Sequence, residues 1–171
     1  PGQKIAMVKY KPATTERPLK IISGGQIGAD QMGLRIGKSL GIETGGHAPK
    51  GFRVSSPDLK RNAKDPSLKE KYGLVEHPEW NYLGRTLANV QNSDGTIIIA
   101  TNWSSGGTKA TQRFIKQEGK PSLLSTDINS PEDVIKWMTE NNIRTINIAG
   151  NRSITEEHPA LKHIYDALKT L

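Results

Sequence analysis

Short apolar runs alternate along the chain with segments whose apolar residues recur every three to four positions. Leu19-Lys20-Ile21-Ile22-Ser23 is one such run and stops at Gly24-Gly25, after which Met32, Ile36 and Leu40 are spaced four apart over residues 28–40. This predicts a strand, a glycine turn and a helix. Gly41 supplies the helix stop, and residues 42–44 read as a brief second strand. The stretch Gly45-Gly46-His47-Ala48-Pro49-Lys50-Gly51 that follows is too rich in Gly and Pro to be regular. Residues 55–78 are polar and basic with weak periodicity, which predicts a long loop, either a lid or an excursion of the active face.

In the second half, Leu83, Leu87 and Val90 mark a helix over residues 80–91, and Asp94-Gly95 leads into Thr96-Ile97-Ile98-Ile99-Ala100. That unbroken β-branched run predicts a strand covered on both faces. Ser104-Ser105-Gly106-Gly107-Thr108 opens a helix ending near Gly119, and residues 121–124 form another short strand. Ser130-Pro131-Glu132-Asp133 is a helix start, with Ser130 as cap and acids in the first turn. Residues 144–149 complete the strand series, Gly150-Asn151-Arg152-Ser153 is a turn, and residues 159–171 form a last helix with Leu161, Ile164, Tyr165 and Leu168 inward. Strands alternating with helices imply an α/β, Rossmann-like domain over residues 19–171, with a mostly parallel sheet and helices on both faces. Ligands in such folds bind beyond the carboxyl ends of the strands.

Composition adjusts this picture at the edges. A length of 171 residues with 34% hydrophobic and 24% charged content suits one domain. No apolar run approaches the roughly 20 residues of a membrane helix, so no membrane partner is expected and cytoplasmic residence is. With no cysteine, disulfides, zinc-thiolate sites and thiol nucleophiles are excluded. The net charge of +7 resides wholly in residues 1–85. Residues 1–18, basic, proline-containing and without apolar periodicity, are expected to be a flexible arm. Basicity makes nucleic acid an alternative partner, but no RNA-binding aromatic motif, zinc finger or helix-turn-helix signature accompanies it.

The candidate chemistry lies in three glycine turns at strand ends: Ser23-Gly24-Gly25-Gln26-Ile27-Gly28, Ser104-Ser105-Gly106-Gly107-Thr108, and Gly150-Asn151-Arg152-Ser153. Glycine lets backbone N–H groups approach an anion closely, and the helix that follows presents unpaired donors and the positive end of its dipole. A phosphate is the natural guest. The spacing matches neither GxGxxG nor GxxxxGK[ST], so ordinary dinucleotide binding and P-loop hydrolysis are unsupported.

These segments also carry a resemblance. Ser23-Gly24-Gly25-Gln26-Ile27-Gly28-Ala29-Asp30, Gly45-Gly46-His47-Ala48-Pro49-Lys50-Gly51-Phe52-Arg53, Tyr72-Gly73-Leu74-Val75-Glu76, Tyr82 with Arg85-Thr86 and Asn89, Asn92-Ser93-Asp94-Gly95-Thr96, Gly106-Gly107-Thr108 and Ile146-Asn147-Ile148-Ala149-Gly150-Asn151-Arg152 occur in the order of the molybdenum cofactor carrier family. The chain resembles that family over about residues 19–171. The family is similar to the Rossmann-like group containing the lysine decarboxylase-like phosphoribohydrolases and the DNA-processing protein DprA. The resemblance implies capture of a pyranopterin phosphate, the molybdenum cofactor, or of a nucleotide, with phosphate on the glycine turns and the ring under the 46–53 loop. It also implies self-association into a homo-oligomer. The chain departs from the family in two places: Ile27 stands where Thr is usual, and Val54-Ser55-Ser56-Pro57-Asp58 replaces an acidic stretch.

The cofactor-binding set expected from these readings is Gly24, Gly25, Gln26, Gly28, Asp30, His47, Lys50, Arg53, Arg85, Ser105, Gly106, Gly107 and Thr108. Asp30 either complements the helix dipole or bonds a ligand amine or hydroxyl, and phosphate repulsion would turn it toward the ring. Lys50 and Arg53 would neutralise phosphate, or be solvated. Arg85 turns inward or pairs with Glu76 or Glu79. Ser105 and Thr108 would donate hydroxyls to phosphate, unless Thr108 caps the helix. His47 and Trp103 are stacking candidates. His47, His77, His158 and His163 have no metal-ligand spacing, so no metal site is expected. Binding of a phosphorylated small molecule is favoured over catalysis. The phosphoribohydrolases place a glutamate three residues beyond the Thr of their glycine turn, and here Lys109, Ala110 and Thr111 follow Thr108. A hydrolase acting on nucleoside monophosphates remains the enzymatic alternative, with no catalytic residue assigned.

Overall fold

Five strands form a sheet in which every pair is parallel, so each strand needs a crossover before the next. The computed structural model describes residues 19–54, 63–79 and 81–171. The expected arm at 1–18, the helix start at Trp80 and part of the expected loop, residues 55–62, lie outside the described residues. The chain runs β1 (Lys20–Ile22), α1 (Ala29–Ser39), β2 (Glu43–Gly45), β3 (His47–Ala48), α2 (Ser67–Tyr72), β4 (Val75–Glu76), α3 (Tyr82–Gln91), β5 (Gly95–Ile99), α4 (Gly106–Glu118), β6 (Ser122–Leu124), α5 (Pro131–Asn141), β7 (Thr145–Gly150) and α6 (Pro159–Lys169). The sheet order is β2-β1-β7-β5-β6, and β3 pairs with β4 in a separate two-stranded sheet. No helix among the described residues is long and apolar enough to cross a membrane.

The isoleucine run of β5 is buried throughout because both faces of the sheet are covered. Ile97 and Ile99 join Ile21, Ile146 and Ile148 beneath Val134 and Met138 of α5 and Leu161, Ile164 and Leu168 of α6. Ile98 and Ala100 point the other way, toward Val90 of α3 and Ala110, Phe114 and Ile115 of α4. The helix start at Ser130 takes the expected form, a capping box in which Asp133 returns a carboxylate to the Ser130 N–H at 3.2 Å.

Residues 67–76 depart from the expected loop. Leu68 and Tyr72 of α2 and the following Leu74 are buried with Leu34, Ala48, Phe52 and Val54. A helix of six residues offers only two inward positions and a strand of two offers no alternation, so neither leaves a periodic trace.

The strand order carries a functional consequence. If β7 and α6 preceded β1, the order would read 3-2-1-4-5, that of an ordinary doubly wound sheet. The last βα unit of this chain thus fills the central, first place of that fold. Helix α6 leaves β7 on one face and α4 leaves β5 on the other. The crevice of the sheet therefore opens between the carboxyl ends of β5 and β7.

Candidate functional site

A cavity of about 500 Å³ occupies that crevice. The turn after β1 and the start of α1 contribute Gln26 and Asp30, the turn after β5 and the start of α4 contribute Asn102 and residues 105–107, and residues 149–153 come from the end of β7 and the turn after it. Helix α3 closes one side with Tyr82, Leu83, Arg85 and Thr86. All three glycine turns therefore meet on one edge, as the parallel arrangement requires.

Asn151 ties two of the turns together. Its side-chain oxygen accepts the N–H groups of Thr101 and Asn102 at 2.8 Å each, and its Nδ2 donates to the Asn102 carbonyl at 3.0 Å and to Thr108 Oγ1 at 3.0 Å. The side chain is buried and fully engaged, so it fixes where α4 begins. Gly28 sits where this framework meets the first turn. Its φ of 101° and the nearby Arg152 and Asn151 carbonyl oxygens leave no place for a side chain.

Ser105 is the N-cap of α4, its hydroxyl accepting the Thr108 N–H at 3.3 Å. Thr108 is thus not the cap but a buried first-turn residue bonded to Asn151. Gly106 and Gly107 are exposed, and nothing lies within 4 Å of where a side chain would project from either. Their N–H groups fall in the first turn, where no intrahelical acceptor exists. The cavity thus has an unobstructed helix N-terminus in its wall, a setting suited to an anion.

Opposite lies a buried ion pair. Arg85 turns inward, away from Glu76 and Glu79, and its Nη1 stands 3.6 Å from Asp30 Oδ2, with the two side chains only 13% and 6% exposed. Burial pushes the Asp30 carboxyl up, opposed by Arg85 and by N–H bonds from Gln26 and Gly24. Burial likewise pushes Arg85 down, opposed by Asp30 and Tyr82. Arginine keeps its charge in proteins, so the pair is read as ionised. The Tyr82 ring carries the guanidinium of Arg53 at 4.7 Å and that of Arg85 at 5.3 Å from its centroid.

Other expected residues stand further off. Gly24 lies directly under Arg85, and Gly25, with φ 77°, packs against Leu68 and Leu74. Arg53 is buried and reaches the site through Tyr82 and through its carbonyl, which accepts from Gln26 Nε2 at 2.8 Å. Lys50 is exposed outside the cavity wall, and the neighbouring Gly51 N–H donates to the Glu76 carboxylate. His47 belongs to the small sheet. Its backbone exchanges hydrogen bonds with the Asn89 side chain at 2.8 and 3.0 Å, and its ring meets His77 edge-on at 5.9 Å. Burial, His77 and Lys20 hold its imidazole below the usual 6.5. Trp103 packs against the α3–α4 cluster. Among the described residues no group of three or more His, Asp or Glu could hold a metal ion.

The expected set lacked Tyr82, Asn102 and Asn151. Asn151 carried a signal, a polar residue inside the third glycine turn, and Tyr82 stood with Arg85 in a motif of the resemblance, whereas Asn102 enters the wall through tertiary packing that no local pattern encodes.

The family model of the circularly permutated YpsA SLOG family matches residues 21–171. The chain belongs to this family. The displaced place of β7 and α6 is the kind of rearrangement that the family's description names. A solved structure described as a "Putative molybdenum carrier protein" from Syntrophus aciditrophicus SB is 33% identical, with a TM-score of 0.72, over 90% of this chain and 97% of that one. No curated protein matches. Family and solved relative bear out both the resemblance drawn from the motifs and the Rossmann-like fold.

Proposed function

We propose that this permutated YpsA-family chain binds and carries a phosphorylated heterocycle in the β5–β7 crevice, the pyranopterin phosphate of the molybdenum cofactor first and a nucleotide second. The observation that carries this reading is the unobstructed N-terminus of α4 at Gly106 and Gly107, facing a cavity at the fold's switch point. A volume of about 500 Å³ lies within the range of small-molecule sites. The description of the solved relative as a molybdenum carrier favours the pterin. In such a cargo the cofactor's own dithiolene holds the metal, so a chain without cysteine is suited to it. Binding is favoured over hydrolysis because, among the described residues, Asp30 is the one carboxylate of the cavity wall and is already committed to Arg85 and the Gln26 N–H.

Equilibrium dialysis with 6-hydroxymethylpterin and its phosphate ester tests the reading. The ester is expected to bind at least about tenfold tighter, a difference of about 1.4 kcal/mol. Equal affinity for the two would remove phosphate recognition from the account.

A further inference from the structure

Arg85 presents more donors than the protein satisfies. Its guanidinium reaches from α3 across the end of β1, where a side chain at Gly24 would overlap it. At 3.6 Å its contact with Asp30 is an ion pair too long for a hydrogen bond. Its Nε is buried and has no hydrogen-bond partner among the described residues. A donor buried in this state is costly, and Arg85 is a residue of the cavity wall.

Asp30 is partly satisfied. Oδ2 accepts the Gln26 N–H at 3.2 Å, and the Gly24 N–H also donates to the carboxyl. This wall therefore presents a guanidinium without hydrogen bonds to the described residues beside a carboxylate that already has two. Because the carboxylate offsets the guanidinium, it attracts a phosphate dianion weakly and suits a neutral acceptor edge. Strand β7 separates β1 from β5, which puts the end of β1 about 9–10 Å from the end of β5 at two strand spacings. That is the order of distance between a phosphate ester and the ring it is attached to.

We propose that Arg85 selects the ligand's ring, donating from its fork to a ring carbonyl and the ring nitrogen beside it. This inference rests on the phosphate reading above. Guanine and hypoxanthine present such an edge as O6 and N7, the edge arginine reads in nucleic acids, and an oxidised 4-oxopterin presents it as O4 and N5, whereas a reduced pyranopterin, whose N5 carries hydrogen, presents O4 alone. Adenine places an amino donor where the carbonyl would be and is disfavoured. The Tyr82 ring lies 5.3 Å from the guanidinium and holds it by cation–π attraction.

Calorimetric titration of the full chain with GMP, 6-hydroxymethylpterin phosphate, AMP and ribose 5-phosphate tests the inference, with Arg85→Lys as the variant. Lysine keeps the charge beside Asp30 while losing the fork, so the variant retains a partner for the buried carboxylate. GMP, the pterin ester or both should bind at least about tenfold tighter than AMP, and which of them does so identifies the ring. In Arg85→Lys that ratio should fall to near one while ribose 5-phosphate affinity is unchanged. AMP binding as tightly as both oxo ligands would overturn the inference, as would a ratio that survives in Arg85→Lys. If ribose 5-phosphate binds but no ring-bearing ester binds more tightly, ring selection fails and phosphate capture stands. Absence of all binding would take down both.

Discussion

Replacing Gly107 by Asp is expected to lower the affinity for any phosphorylated ligand at least about a hundredfold, roughly 2.7 kcal/mol, in a protein that stays folded. The new carboxylate would stand in the first turn of α4, where the helix dipole and free N–H groups now favour an anion. Its bulk would also keep phosphate from the backbone. Stability is spared because nothing lies within 4 Å of where its Cβ would stand and the backbone of Gly107 is not left-handed. Gly107→Ala isolates the charge. Alanine fits the same open space and is favoured over glycine in a helix by about 0.5–1 kcal/mol, so this variant should be as stable as the parent or slightly more so. It should lose only a small part of the affinity. Calorimetry with ribose 5-phosphate, beside circular dichroism, reads both effects. A folded Gly107→Asp protein that binds like the parent would move the phosphate off this turn.

The largest effect on stability is expected at Gly150→Ala, a loss of about 3 kcal/mol or more in urea denaturation. Gly150 ends β7 with φ 150°, and a side chain there would overlap the carbonyl oxygen of Ile99 on the neighbouring strand. That carbonyl accepts the Asn151 N–H at 3.0 Å, so displacing it also disturbs the residue that holds the α4 turn. Gly106→Ala, where the space is open, should cost almost nothing. Comparable stability of the two variants would show that the β5–β7 contact relaxes freely. The contrast separates glycines required by the backbone from glycines that leave room for a ligand.

The two kinds look alike in the sequence. Gly24-Gly25, Gly106-Gly107 and Gly150 all read as phosphate turns, yet Gly25 packs against Leu68 and Leu74 and Gly150 against a strand, while the α4 pair faces open space. The sheet itself was legible because β5 writes its burial on both faces as consecutive isoleucines and Ser130-Pro131 announces α5. Strand order was not legible, since nothing in the local pattern of residues 145–150 places β7 at the centre. The cavity wall proposed as the site was legible where it depends on turn chemistry, as at Ser105, Gly106 and Gly107. It was hidden where it depends on long-range contact. The pairing of Arg85 with Asp30 spans 55 positions, and the sequence offered Glu76 and Glu79 as nearer partners. His47 and Lys50 belong to a loop that resembles a ligand cover by composition, but His47 lies in β3, paired with β4, Lys50 lies in the turn after it, and neither is in the cavity wall.

The most direct measurement follows backbone amides by 15N–1H correlation spectra during titration with ribose 5-phosphate. The largest shifts are expected at Gly106, Gly107 and Thr108, with smaller ones at Arg152 and Ser153 across the crevice. Shifts concentrated at residues 46–53, with the α4 amides unmoved, would contradict a phosphate site between β5 and β7.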